Sequence, residues 1–259
     1  MRIALGIEYD GTGFVGWQYQ DNGTSVQQVV EEALSKVANH PLRVVCAGRT
    51  DTGVHALGQV VHFDTTAERD LRAWVFGTNA NLPKGVAVVW ARTVNDDFHA
   101  RFSARLRRYR YVIFNRDVRP TFLAWRVAWE FRPLDAERMG VAAQHLVGEH
   151  DFSAYRAAGC QAKTPVRTVR RIDVWRKDDL VMIEIEANAF LHHMVRNIAG
   201  VLMAIGSGEQ STQWSRDVLE NRDRTLAGVT APACGLYLLD VDYSPDFDLP
   251  RVSQTQRVW

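Results

Sequence analysis

The sequence predicts an α+β protein built from two ferredoxin-like (β-α-β-β-α-β) halves, with mixed, mainly antiparallel sheets flanked by helices. Three observations lead there. Period-two apolar strands and 3.6-residue amphipathic helices occur in the same order twice along the chain. The 259 residues exceed the roughly 150 of a single average domain. The composition, 46% hydrophobic and 24% charged with a formal net charge of +1, is that of a soluble globular chain and excludes a disordered or collagen-like one.

The first half opens with a strand over residues 3–9. A Gly-rich loop leads to a helix over 25–38, where Val26, Val29, Val30, Ala33, Leu34, Val37 and Ala38 recur at helical spacing. Ser25 with Gln28 reads as a capping box, and Pro41 follows the helix end. A strand over 42–47, a loop bounded by Gly48 and Gly58, a strand over 59–64, a helix over 68–79 and a strand over 86–94 complete the half. The second half repeats the order: a strand over 109–115, a helix over 135–147, paired strands over 166–175 and 180–187, an apolar helix over 190–205, and a final strand over 235–243. The expected domains are therefore 1–104 and 105–245. The tail 246–259 has no periodicity and reads as an extension or a partner contact.

The longest apolar run near the middle, residues 198–205, falls short of the roughly 20 residues a membrane helix needs. No signal-peptide core follows Arg2. Cys46, Cys160 and Cys234 are odd in number and widely spaced, which suits a reducing cytosol and neither a disulfide framework nor a zinc site. The near-zero net charge conceals segregation. Residues 101–110 carry five Arg and no acid, residues 156–177 carry seven basic groups against Asp173 alone, and residues 209–248 carry eight acids against three Arg. Separated positive stretches suit a nucleic-acid partner; solvated strand and loop faces would give the same count.

The chemistry-bearing candidates lie in three segments. Cys46 to Val60, CAGRTDTGVHALGQV, is longer than the roughly two to five residues a hairpin connection needs. It displays Arg49, Thr50, Asp51, Thr52 and His55, and loops on rigid sheets often carry function. Its bland alternative is an Asx turn, with the Asp51 side chain accepting main-chain N–H bonds around Gly53. In FLHHMVRNIAGVLMAI, residues 190–205, His193, Arg196 and Asn197 are spaced to share a helix face. An Arg on a mostly buried helix needs a carboxylate or phosphate partner. A structural ion pair would satisfy it, as would a catalytic Asp that it keeps ionised. In DDFHARFSARLRRYRY, residues 96–111, aromatics interleave with Arg in a manner suited to bases and phosphates. A strand there points Tyr109 and Tyr111 to one face, and Arg108 and Arg110 to the other, toward solvent or a nucleic-acid backbone.

These residues leave three readings open. The protein is an enzyme with Asp51 as its carboxylate, or an RNA-gripping module, or a metal-dependent hydrolase using Asp51, His55, His62 and Asp64. An Asp in a phosphate-facing loop argues against the second, and the loop and strand placement of the two histidines argues against the third.

Four blocks resemble one family. GRTDTGVHA around Asp51, the opening YDGTGFVGWQYQ with its later SVQ, FHARFSARLRRYRY and ANAFLHHMVRNIAG are similar, in the right order over residues 1–245, to the tRNA pseudouridine synthase A family. SVQ replaces the usual TVQ, and the tail is unmatched. The resemblance implies the pseudouridine synthase fold, a cytoplasmic homodimer and no cofactor or metal. It implies isomerisation of uridines at positions 38, 39 and 40 of the tRNA anticodon stem-loop. Asp51 would be the catalytic carboxylate, Tyr109 the ring stacked on the target base, Arg196 the partner of the Asp, and Arg49 and Arg101 tRNA-binding residues. Phe98, His99, Ala100 and Phe102, with Gly159, Cys160, Gln161, Ala162 and Lys163, would make further tRNA contacts.

Overall fold

The computed structural model describes residues 1–250; residues 251–259 of the predicted tail lie outside the described residues. In chain order the elements are β1 (Arg2–Tyr9), α1 (Val26–Ala38), β2 (Val45–Cys46), β3 (His55–Asp64), α2 (Leu71–Asn79), β4 (Val86–Val94), β5 (Leu106–Asn115), β6 (Ala128–Glu130), α3 (Ala136–Gln144), β7 (Gly148–Asp151), β8 (Val166–Lys177), β9 (Leu180–Ala187), α4 (Met194–Gly206), α5 (Trp214–Asn221) and β10 (Leu236–Asp242), with short 3-10 turns between some of them. The order β-α-β-β-α-β is present in the first half. In the second half β6, β7 and α5 are added to it.

The chain divides into two compact units, one of residues Met1–Arg105 together with the described chain from Tyr237, the other Leu106–Leu236. In the first unit β1 lies antiparallel between β3 and β4, with Ile3 opposite Phe63 and Thr93. β2 adds to β3 through the pairs Val45–His62 and Cys46–Val61. β10 runs parallel to β3, Tyr237 opposite His55 and Leu238 opposite Ala56. The sequence places this last strand with the second half. Its main-chain pairing places it in the first unit, a long-range choice that local periodicity cannot encode.

Helix α1 forms because Val26, Val30, Ala33, Leu34 and Ala38 share its buried face; each fully buried Val or Leu contributes about 1.5–3 kcal/mol. Ser25 Oγ accepts from the Gln28 main-chain N–H at 3.2 Å, but the Gln28 side chain turns away and donates to Glu32 at 2.9 Å. Half of the expected capping box is therefore made. Glu31, buried on the inner face, accepts from Gln27, from Arg43 and from the Val44 N–H, and so ties α1 to the chain entering β2. Asp70 caps α2 on the Ala73 N–H, and Trp74 of that helix packs edge-on against Phe63 of β3 at 5.1 Å.

In the second unit β9 lies antiparallel between β5 and β8, β7 extends the sheet from β8, and β6 runs parallel to β5. Helix α3, capped by Asp135, packs on β8 and on α4. Helix α4 is buried on nearly every side, as its composition predicts, yet starts later than the periodicity suggests. His193 takes a left-handed conformation (φ 61°) as the residue before the first turn, so it is outside the helix whose face it was expected to share.

Candidate active site

The over-long loop after β2 is held from three directions, all by residues of the first unit. At its base the buried Gln59 amide donates to the Gly48 carbonyl at 2.7 Å. In its middle the Thr50 carbonyl accepts from the Trp17 N–H at 3.0 Å, and the Thr50 hydroxyl meets the Tyr9 hydroxyl at 2.7 Å. At its far end the His55 Nδ1 accepts from the Gly11 N–H at 3.0 Å, with Asp10 Oδ1 3.2 Å away, while the His55 ring stacks on Tyr237. The opening Gly-rich segment lies against this loop so closely that only glycine fits. A Cβ on Gly11 would sit 2.1 Å from the Val54 carbonyl oxygen, and one on Gly16 2.8 Å from that of Thr50. The second of these also has φ 94°, where a side chain is strained.

Asp51 therefore sits half-buried on a braced loop, followed by a tight turn with Gly53 at φ 76°. That turn is closed by the Asp51 main-chain carbonyl, which accepts from the Val54 N–H at 3.1 Å. Arg49 is exposed two residues earlier. Burial pushes the nearby Cys46 thiol up to about 12 against the opposing pull of Arg49, which leaves it protonated and a poor nucleophile.

The hydrolase residues do not converge on a metal. His62 spends Nδ1 accepting the Ala100 N–H at 3.1 Å, and burial, with help from His99 and Arg2, lowers it to about 4. Asp64 receives two Arg2 donors, at 2.8 and 2.9 Å, which hold its carboxyl below the usual range.

The segment after β4 separates into inward and outward residues. Phe98 and Ala100, expected at an RNA surface, are core. Phe98 packs against His62, Tyr243 and Phe247, and Ala100 accepts from the Tyr243 hydroxyl at 2.6 Å. Facing outward are Arg101 and Phe102, the latter 76% exposed, its ring stacked on His99 at 4.3 Å with the Arg101 guanidinium 5.6 Å above it. His99 Nδ1 accepts from the main-chain N–H groups of Arg101 and Phe102, which fixes this tier in place.

In the second unit Tyr109 is 8% exposed and meets Phe190 edge-on at 5.0 Å. Tyr111 is fully buried and donates to the Pro232 carbonyl at 2.7 Å, a core role. Arg108 and Arg110 do not reach outward as expected. Both pair across the strand gap with β9, Arg108 with Glu186 at 3.0 Å and Arg110 with Glu184 at 2.6 Å, and Arg110 stacks on Trp175. On α4, Arg196 donates through Nε to the Ala231 carbonyl at 2.8 Å. Its charge draws on Tyr111 and Cys234, against burial that raises both. Asn197 beside it is structural: it donates to the Tyr155 carbonyl and accepts from Arg224 and Thr230. Of the loop 159–163, Gly159, Gln161 and Lys163 are exposed and Cys160 and Ala162 half-buried, with Gly159 at φ 77°.

Four residues that brace these side chains escaped sequence reasoning: Tyr9, Trp17, Gln59 and Phe190. Nothing in their local pattern separates them from ordinary core residues. The over-long loop was the available signal for the first three, since a braced loop needs a brace.

The fold and site so far define an α+β protein with two units, one presenting a single acid on a rigid loop and the other a buried tyrosine and an arginine. A family model described as tRNA pseudouridine synthase matches residues 6–103 and 142–244. A tRNA pseudouridine synthase A of Coxiella burnetii is 57% identical over 251 residues, covering 97% of this chain and 96% of that protein. Those of Nitrosococcus oceani (58% identical, 100% of both chains) and Pseudomonas aeruginosa (58%, covering 96% and 88%) are similarly close. The chain belongs to the tRNA pseudouridine synthase family.

Proposed function

We propose that this protein isomerises uridines at positions 38, 39 and 40 of the tRNA anticodon stem-loop to pseudouridine, with Asp51 as the catalytic carboxylate. The observation that carries this is a half-buried Asp on a loop braced from three directions, in a chain alike over nearly its full length to proteins of that name. Rigid presentation is what a single-residue catalyst requires, because misplacement by about 1 Å costs about a hundredfold in rate.

The reaction is an isomerisation. The C1′–N1 bond breaks, the uracil turns, C5 bonds to C1′, and the proton lost from C5 is balanced by one gained at N1. A carboxylate can start it as a nucleophile at C1′ or C6, or as a base at the 2′ position. In this reading Tyr109, backed by Phe190, stacks on the detached uracil, and Arg196 pairs with the carboxylate. Extruding the target base costs a few kcal/mol. Contacts from Arg49, from the Arg101–Phe102 tier and from residues 159–163 offset it. The N-terminal domain, 1–104, would present the catalytic loop, and the domain beginning at residue 105 would supply Tyr109 and Arg196. The protein would work as a homodimer in the cytoplasm. Among the described residues no helix is long and apolar enough to cross a membrane.

The test is a pseudouridine map by chemical labelling of unmodified tRNA incubated with the purified protein. New pseudouridine confined to positions 38–40 supports the proposal; its appearance elsewhere, or tRNA binding without product, overturns it.

A further inference from the structure

We infer that Tyr9 and Thr50 act as a positioning pair for the reaction: the bond between their hydroxyls sets the placement of Asp51, the next residue in the chain. The inference rests on the reading of Asp51 as the catalytic carboxylate.

Five observations converge on the pair. The two hydroxyls are buried and 2.7 Å apart although their residues are 41 positions apart in sequence. Thr50 is β-branched and therefore stiff at χ1, so holding its hydroxyl also orients its main chain. That main chain is held a second time, where its carbonyl accepts from the Trp17 N–H. The other side offers no slack, since Gly16 approaches so closely that an added Cβ would lie 3.1 Å from the Asp51 carbonyl carbon. Finally, the pairing of β1 with β3 shifts register between Ile7 and Tyr9: Ile7 is opposite Gln59 and Tyr9 opposite Ala56. Such a bulge re-aims side chains and is over-represented beside active sites. Here the extra residue is on β3, between Ala56 and Gln59 and opposite the stretch Ile7–Tyr9, close after the Asp51 loop. A hydroxyl pair serving the core alone would need neither the doubled anchorage nor the irregular strand end.

The experiment measures single-turnover rate constants with enzyme in saturating excess over unmodified tRNA, so that the fraction of folded enzyme does not enter, alongside tRNA affinity and melting temperature. Tyr9→Phe and Thr50→Val are each expected to slow the reaction about tenfold, part of the cost of a full ångström's misplacement. Their tRNA affinity should stay within about twofold, because both side chains are buried, Tyr9 4% and Thr50 8% exposed. Thr50→Ser keeps the hydroxyl but not the branch, so its rate is expected between those of wild type and Thr50→Val. The double variant Tyr9→Phe/Thr50→Val leaves neither hydroxyl of the pair behind, so its melting temperature should recover relative to the single variants. Its rate should remain about tenfold low, because the tether is still missing. A double variant whose rate recovers with its stability would show a purely structural pair and overturn the inference. So would a Tyr9→Phe enzyme as fast as wild type. Should Tyr9→Phe fail to fold, Thr50→Val against Thr50→Ser decides the matter, equal rates overturning it. Asp51→Asn, run in parallel, separates the two levels. An active Asp51→Asn defeats the reading of Asp51, whereas an inactive one beside a fast Tyr9→Phe defeats the pair alone.

Discussion

Arg196 illustrates how much one side chain's shape matters. Its Nε donates to the Ala231 carbonyl at 2.8 Å, one donor of a planar fork. A lysine ammonium cannot reproduce that fork. Arg196→Lys should therefore lower kcat/KM about a hundredfold, the scale of an ångström's displacement, with little change in melting temperature; steady-state kinetics on unmodified tRNA checks this, and unchanged kinetics would tell against a role at the site. At this scale the sequence singles out Asp51, Tyr109 and Arg196 as candidates, the last two with roles that only the family resemblance implies. Sequence reasoning misplaced Phe98 and Ala100, since an aromatic beside arginines looks the same whether it faces RNA or the core. Direction is decided by His62 and Tyr243, both far from Phe98 in the chain and invisible to any local window.

At the scale of elements, the facing strands β5 and β9 show why an alternating Arg pattern is an ambiguous signal. Arg110 is 2% exposed and paired with Glu184, so the charge that looked available to a phosphate is already neutralised. Removing one partner of a buried pair typically costs about 3–5 kcal/mol, whereas replacing both by apolar groups is often neutral or better. Arg110→Ala should destabilise by that amount in urea unfolding, and Arg110→Met/Glu184→Met should regain most of it. A double variant no more stable than Arg110→Ala would contradict the ion-pair account. Helix α1 was legible almost to the residue because its cap and apolar stripe are local. The short strands β6 and β7 were not, since so few residues carry too little period to read. The late start of α4 was hidden too, because His193 takes a left-handed conformation before the helix, which the local pattern does not signal.

For the whole molecule, the repeated element order was readable but the closing connection was not. Pairing β10 with β3 returns the chain to the first unit, beside His55 at the start of β3, and no local pattern announces a parallel partner so far along the sequence. Global stability should also carry the imprint of His62. Its neutral form is favoured in the fold, which lowers it from 6.5 to about 4. The unfolded chain therefore binds the extra proton first as pH falls. The stability His62 contributes is complete above about 6.5, declines through the interval, and is lost below about 4. His62→Asn can still offer an acceptor toward the Ala100 N–H but cannot titrate. Between those pH values its stability should fall less steeply than wild type, by up to about 1.4 kcal/mol per pH unit. Denaturant unfolding across that range tests this, and parallel profiles would refute it.

Asp51 is the group on which the proposed reaction turns, and the most direct measurement is the single-turnover yield of pseudouridine from unmodified tRNA with wild type and with Asp51→Asn, beside their tRNA affinities. The asparagine variant is predicted to bind tRNA within about threefold of wild type, as expected when a group acts only in the transition state, and to form no product. Pseudouridine formed by Asp51→Asn at the wild-type rate would contradict the assignment.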